Sequence, residues 1–384
     1  MFGELESQGR GRPDFLLLFL TFMLVGIGLV MVFSASSPKA YFYHASSWYY
    51  ISKQALFAIV GLGFMLFFMG IPFQTWRRAA PFLLFFSLFL LIFVLIGGKS
   101  VNGAKRWFVV AGLTFQPSEF TKLSIIVYLS ALISKKGEHI QVFKKGLLPI
   151  LIVIGLILLL VMGQPDFGTV LILVMISAVI TVIGGVQVRH IFMVSLGLIP
   201  LLIYLAVSQS YRFKRITSFL HPLDQPSDSG YQLTQSLYAF GHGGVTGAGL
   251  GQSIQKLFYL PEAHTDFIFA VIGEELGFVG TSLLCLIFLL FFWRGFRAAM
   301  LSDELFGVLL GMGIVTMIFI QFLLNLGAVS GTLPITGVPL PFISYGGSSL
   351  ILCMACTGIL LSISRDNNRR RQEQTKVSAI EVVR

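Results

Sequence analysis

The 384-residue chain is 55% hydrophobic and only 11% charged, with a net charge of +10. Soluble proteins carry about 25% charged residues, so a water-soluble fold around one aqueous core is excluded and most of the chain belongs in lipid. The positive balance does not point to nucleic acid, because the bases gather in short connections between apolar runs, where they anchor a membrane protein on its cytoplasmic side.

Runs of about 20 apolar residues mark membrane spans. The first, Phe15 to Phe33, follows Arg10 and Arg12 and precedes Ser34-Ala35-Ser36. It imitates a signal peptide, but at about 19 residues it is long enough to span, and it reads as an uncleaved first helix. Taken in order, the runs predict helices at 15–34, 53–72, 79–98, 117–134, 147–163, 167–186, 190–208, 266–293, 305–328 and 346–364. With the N-terminus inside, 17 of the 27 Lys and Arg fall on inner segments, among them Arg77, Arg78, Lys135, Lys136, Lys144, Lys145, Arg294 and Arg297. The bias favours both termini in the cytoplasm and an even number of spans.

The expected fold is therefore all-α: a polytopic membrane protein of about ten spans. Residues 1–14 form a cytoplasmic N-terminus, 15–364 the membrane domain, and 365–384 a basic cytoplasmic tail. Arg369-Arg370-Arg371 in that tail suit anionic headgroups. The one large extracellular loop is 209–265, between spans seven and eight. The cysteines Cys285, Cys353 and Cys356 all sit in apolar runs, and Cys353-Met354-Ala355-Cys356 has no second pair, so they read as packing residues rather than a metal site.

Unusual residues gather in the outer segments. Lys105 and Arg106 beside Trp107 read either as interfacial anchors or as a grip for phosphate. Pro117 suits a helix start, and Glu119 and Lys122 share a helix face, as an intrahelical ion pair or as a polar lining for a headgroup. Gln164-Pro165-Asp166-Phe167-Gly168-Thr169 forms a tight turn in which Asp166 can cap the next helix.

The large loop opens on Tyr211-Arg212-Phe213-Lys214-Arg215, a basic cluster on the side where bases are disfavoured, which suits an anionic partner. Its glycines Gly247, Gly249 and Gly251 are not a nucleotide motif, since no strand precedes them and no Lys-Ser/Thr follows. They read as flexible loop or as a backbone nest for phosphate. The loop ends on Leu260-Pro261-Glu262-Ala263-His264-Thr265-Asp266, which delivers a carboxylate to the edge of a span. An acid there is a functional candidate by default. Glu274 and Glu275, deeper in the same span, are either paired structurally or part of a proton or ion relay. The segment Gly337 to Ser349 is too rich in Pro and Gly for a regular helix. Such backbone is tolerated at membrane depth only against protein or a wet cavity.

Several motifs together carry a resemblance: Asn102-Gly103-Ala104-x-Arg106-Trp107, Gln116-Pro117-Ser118-Glu119-x-x-Lys122, Gln164-Pro165-Asp166-x-Gly168-Thr169, Ser236-Leu237-Tyr238-Ala239, His264-Thr265-Asp266-Phe267-Ile268-Phe269 and Pro341-Phe342-Ile343-Ser344-Tyr345-Gly346-Gly347-Ser348-Ser349. The chain resembles the SEDS family (shape, elongation, division and sporulation), the bacterial peptidoglycan polymerases. It looks most like their division and sporulation branch, the FtsW and SpoVE types, and its short N-terminus fits a Gram-positive source. The resemblance implies a lipid II polymerase that makes β-1,4-linked glycan with inversion at the outer face of the cytoplasmic membrane, at the division septum or in sporulation.

Asp266 matches the family's essential acid and is the expected catalytic base. Arg106, Lys122, Glu119, Lys214, Arg215, His264, Ser344 and Ser348 are expected to bind the diphosphate and sugar, with Asp166, Glu274 and Glu275 in support. A divalent cation, Mg or Mn, would share its ligands with the lipid diphosphate, because the sequence shows no dedicated metal cage. The implied partners are a class B penicillin-binding protein, which would supply crosslinking, and other divisome proteins. The competing readings are a lipid II flippase and a non-catalytic divisome scaffold.

Overall fold

The computed structural model describes residues 11–101, 104–110, 113–220, 222 and 229–383. Ten helices lie where ten spans were expected: α1 (Phe15–His44), α2 (Tyr49–Gly70), α3 (Gln74–Gly97), α4 (Pro117–Lys136), α5 (Leu148–Met162), α6 (Phe167–Ile183), α7 (Val188–Val207), α10 (Ile268–Met300), α11 (Leu305–Val329) and α12 (Gly347–Val383). Among the described residues, eight helical segments are long and apolar enough to cross a membrane. The other two are α6, which is shorter, and α4, which carries Glu119 and Lys122 in its first two turns.

The interior of the bundle is built on α11 and α12, whose most apolar stretches are 78% and 83% buried, while the corresponding stretch of α7 is 0% buried and lies at the periphery. Close packing of α12 on α2 needs small residues. A Cβ on Gly358 would lie 2.3 Å from the Met65 carbonyl oxygen, and one on Gly61 would lie 2.6 Å from the Met354 sulfur.

Three departures from the expected fold shape the outer segments. Between α3 and α4 runs a small antiparallel sheet of β1 (Lys99–Val101), β2 (Ala104–Val110) and β3 (Leu113–Phe115), with Lys99 opposite Trp107 and Phe108 opposite Phe115. Asn102 and Gly103 of the first motif lie outside the described residues. Next, the large loop is not structureless, because it contains α8 (Ser210–Leu220) and α9 (Ser229–Gly243). Lastly, α10 is not one continuous helix: Gly277 adopts φ 66°, ψ −166°, a conformation open to glycine.

The glycine run 243–251 packs into that break. Ala248 N–H donates to the Glu274 carbonyl (2.9 Å) and Gly249 N–H to the Glu275 carbonyl (3.0 Å), while Phe278 N–H donates to the Gly244 carbonyl (2.9 Å). A Cβ on Gly247 would sit 2.3 Å from the Glu275 carbonyl oxygen. The run is thus an ordered strap on α10, and amides consumed in this way are not a phosphate nest.

The two glutamate side chains pin the residues that flank this strap. Glu274 accepts from Ile254 N–H (2.9 Å), Gln255 N–H (3.2 Å) and Ser253 Oγ, and its Oε1 meets His242 Nδ1 at 2.9 Å. Glu275 accepts from Lys256 Nζ (2.6 Å) and from Ser34 Oγ on α1 (2.7 Å). Of the two readings for these acids, structural pairing is the one the contacts support.

Removing one partner of a buried ion pair leaves the other charge uncompensated, at a cost of about 3–5 kcal/mol. Glu275→Ala should therefore lower the thermal unfolding midpoint in detergent markedly. The double replacement Glu275→Leu with Lys256→Met should recover most of that loss; a double variant no more stable than the single one would contradict the ion-pair account.

Candidate active site

One strand and three irregular segments meet at the end of the bundle opposite the basic ends of α4 and α10. β2 brings Arg106 and Trp107. The turn before α6 brings Asp166, the turn before α10 brings Glu262 to Asp266, and the stretch from Ile335 to Gly346 leads into α12.

β2 is held by its ladders to β1 and β3, and the other three are held by side chains. Arg106 Nε donates to the Gln164 carbonyl (2.8 Å) and Nη2 to that of Pro165. Asp166 caps α6 by accepting from Thr169 N–H (3.2 Å) and Thr169 Oγ1 (2.9 Å), and it also accepts from Gln116 Nε2 (3.1 Å) and Ser118 Oγ (3.4 Å). It therefore ties α6 to the start of α4, in keeping with the capping reading.

Asn325 of α11 donates to the carbonyls of both Asp266 (2.7 Å) and Val338 (2.8 Å), so one amide joins the Asp266 turn to the Pro-rich stretch. Ser344 Oγ donates to the Thr265 carbonyl (2.6 Å) and accepts from Leu340 N–H (2.8 Å). Gln54, buried in α2, donates to the Ser344 carbonyl (3.1 Å). Ser348 Oγ accepts from Gln116 N–H (3.0 Å) and donates to the Thr114 carbonyl (3.1 Å).

Together these segments enclose a cavity of about 260 Å³. Of the residues singled out in the sequence, Arg106, Glu119, Lys122, Asp166, Asp266 and Ser348 line it. Glu119 and Lys122 form a buried ion pair at 2.7 Å in its wall. A second cavity of about 280 Å³ shares Arg106 and Asp166 and adds Arg212, Arg215 and an apolar wall that includes Phe167, Leu171 and Ile216.

Other expected contacts sit elsewhere. Lys214 is exposed and lines neither cavity, so a phosphate contact from it is not carried by its placement. Ser344 and His264 lie behind the wall as supports. His264 packs 4.7 Å from the Tyr50 ring and 5.6 Å from the Tyr345 ring, and its carbonyl accepts from Tyr345 N–H at 2.9 Å. Burial and, next, Lys39 push its imidazole down to about 4, so it is neutral at pH 7. Glu274 and Glu275, on α10, hold the loop residues around the strap and line neither cavity.

Asp266 is half-buried, and no described residue hydrogen-bonds to its carboxyl. Loss of water around it and then the neighbouring Glu262 raise its pKa from 3.8 to about 6, against the downward pull of Arg215 and Arg106. Gly337 leaves the space in front of it open. At φ +70°, a Cβ there would lie 3.4 Å from Asp266 Oδ2 and 3.9 Å from Arg215 Nη1. The carboxyl is thus free, near two guanidinium groups, and more basic than an ordinary aspartate.

The structure adds residues to which the sequence assigns no site role. Glu262 lines the cavity from a left-handed backbone position, φ 55°, and accepts from Thr265 Oγ1 at 2.8 Å. Trp107, Gln116, Tyr345 and Gln321 also line it. Among the described residues, no three His, Cys, Asp or Glu side chains converge closely enough to hold a metal ion. A resident divalent cation therefore does not fit the protein groups alone.

Fold and site define a multi-pass membrane protein with a charged cavity at one end of its helical bundle. The chain belongs to the FtsW/RodA/SpoVE family: the family model described as "Cell cycle protein" matches residues 15–369. It is 44% identical over 360 residues to stage V sporulation protein E of Bacillus subtilis (strain 168), covering 93% of this chain and 98% of that protein. It is 41% identical over 355 residues to a probable peptidoglycan glycosyltransferase FtsW of Geobacter sulfurreducens, covering 92% of this chain and 95% of that one. The fold matches rod shape determining protein RodA of Thermus thermophilus with a TM-score of 0.69 at 28% identity, over 92% of this chain and 97% of RodA. It matches a chain of a peptidoglycan synthase complex with a TM-score of 0.76 at 29% identity, over 92% of this chain and 98% of that one.

A carboxyl with a raised pKa stays protonated to higher pH, and protonated carboxyls react with carbodiimides. Labelling of Asp266, read by peptide mass spectrometry, should fall as pH rises through about 6. Glu262→Gln removes a negative neighbour, so the midpoint should move to lower pH. A wild-type midpoint at the ordinary aspartate value, or no shift in the variant, would contradict this electrostatic account.

Proposed function

We propose that this chain is a peptidoglycan glycosyltransferase that polymerises lipid II into β-1,4-linked glycan at the outer face of the cytoplasmic membrane, in cell division or sporulation. The observation that carries this reading is the Asp266 carboxyl. It is free of hydrogen bonds from the described residues, it faces a polar cavity, and it lies beside Arg106 and Arg215.

The reaction asks for a base and for cations. Asp266 takes the proton from the acceptor 4-hydroxyl as that oxygen forms its bond to the donor's anomeric carbon. The bond from that carbon to the diphosphate breaks, and the lipid diphosphate leaves. Arg106 and Arg215 stabilise the charge that develops on it. A single displacement turns an α-linked donor into a β-linked product, so no sugar–enzyme bond forms. The second cavity, with its arginines and apolar wall, suits the junction between diphosphate and lipid chain. A Mg or Mn ion would be held chiefly by the diphosphate, and no step here is routed through it.

Orientation is supported by charge. Lys135 and Lys136 stand in the last turn of α4 and Arg297 in that of α10, while Glu119 and Asp266 stand at or beside the opposite ends. The excess of bases at one side supports a cytoplasmic position for that side and an outer one for the cavity. A class B penicillin-binding protein and other divisome proteins are the proposed partners, with the septum as the site of action. Transport is the weaker reading, because the two intramembrane glutamates that would serve it are occupied by residues that flank the strap.

Asp266→Asn should lower polymer formation from lipid II by purified protein about 100-fold or more, the usual scale for losing a general base, while expression and thermal unfolding stay near wild type. Polymerisation at the wild-type rate would exclude Asp266 as the base.

A further inference from the structure

Buried polar atoms in folded proteins are nearly always hydrogen-bonded, and the exceptions call for an explanation. Among the described residues, several side chains hold buried nitrogen or oxygen atoms with no partner, but only those of Gln321 and Glu119 also line the cavity that contains Asp266. Gln321 is 1% exposed, and both of its amide atoms, Nε2 and Oε1, are unpaired. Glu119 is 5% exposed; its Oε1 is fixed by Lys122 Nζ at 2.7 Å, which leaves Oε2 unpaired.

The placement of Gln321 is set by α11. It stands four residues before Asn325, whose amide grips the Asp266 carbonyl. Residues four apart share a helix face, about 6 Å apart along the axis. Gln321 is therefore one turn deeper in the bundle than the Asp266 turn, on the wall that faces the same cavity. Ile172 of α6 and Val338 supply apolar surface to that cavity. The cavity lining thus offers a free donor, Gln321 Nε2, free acceptors, Gln321 Oε1 and Glu119 Oε2, and an apolar contact. That set complements a secondary amide bearing a methyl group: carbonyl, N–H and CH₃.

We propose that Gln321, with Glu119 Oε2, forms a specificity subsite that binds the 2-acetamido group of a substrate hexosamine. This deepens the glycosyltransferase reading and rests on it. Gln321 does not touch the reacting atoms; it selects the sugar and sets its depth beneath the carboxyl of Asp266. A site built to hydrogen-bond a polar group discriminates strongly against an analogue that lacks it, because its own buried groups are then left unpaired.

The test compares lipid II with two analogues carrying a 2-hydroxyl in place of the 2-acetamido group, one on each sugar, using the full-length protein in detergent. Wild type should lose about 100-fold or more in kcat/KM on at least one analogue. Gln321→Leu should lose about 10- to 100-fold on lipid II itself but little on that analogue, so that the preference collapses to within a few-fold of unity. Gln321→Met, close to glutamine in size, serves the same comparison if the leucine variant does not fold.

Equal rates of wild type on all three substrates would overturn the proposal. So would a variant whose activity falls by one common factor on all of them with the preference intact, which is the mark of a structural role. Wild type that makes no polymer even from lipid II would instead defeat the glycosyltransferase reading on which the subsite rests, a result that cannot be confused with an unchanged preference.

Discussion

Irregular backbone at the edge of a bilayer must find its hydrogen bonds within the protein, and this constraint organises the whole outer end of the molecule. The Asp266 turn and the Pro-rich stretch before α12 cannot satisfy themselves as helix or sheet. Asn325, Ser344 and Gln54 do it for them, each from a different position, and Asn325 bonds both segments at once. Asn325 Nδ2 is spent on these two carbonyls, so the Asp266 turn is fixed through its backbone while its side chain carries no hydrogen bond from the described residues.

Charge is distributed around the cavity so that no acid stands alone. Asp166 is consumed in capping and crosslinking, and Glu119 is half consumed by Lys122. Glu262 stands close enough to Asp266 to raise its basicity, while Arg215 and Arg106 keep the ionised form accessible. A diphosphate needs cations and a deprotonation needs a base; Arg106 and Asp266 line one cavity, Arg215 lines the second beside it, and neighbouring charges tune the base.

Much of this was legible in the sequence. Each of the ten apolar runs coincides with a helix, and among the described residues eight helical segments are long and apolar enough to span, because a bilayer demands runs of that length whatever the packing. Their ends were misjudged where α1, α10 and α12 continue beyond the hydrocarbon, since polar residues there still favour helix. The short strands β1 to β3 and the helices α8 and α9 were missed because none contains an apolar run of span length, although α8 has one apolar and one polar face. Asp266, Arg106, Glu119 and Lys122 stood out because charges beside spans are costly.

Gln54, Gln321 and Asn325 did not stand out, because a single amide inside an apolar run barely lowers its hydropathy. Yet Gln321 and Asn325 are four apart on one face of a span, and that spacing was the available signal. Glu262 was in plain view within the motif, but its left-handed backbone, which turns it toward Asp266, has no mark in the sequence. That Glu274 and Glu275 are paired was one of the two readings the sequence allowed, but their partners could not be named, because these come from residues 253–256 and from α1.

The central claim is that the residue-266 side chain opens from a protein-lined cavity toward the outside of the cell. The direct measurement is accessibility: Asp266→Cys, in a background with Cys285, Cys353 and Cys356 replaced by Ala, treated with a membrane-impermeant maleimide. The account predicts labelling in intact cells from the extracytoplasmic side. Labelling that appears only in inverted vesicles, or none from either side in folded protein, would contradict it.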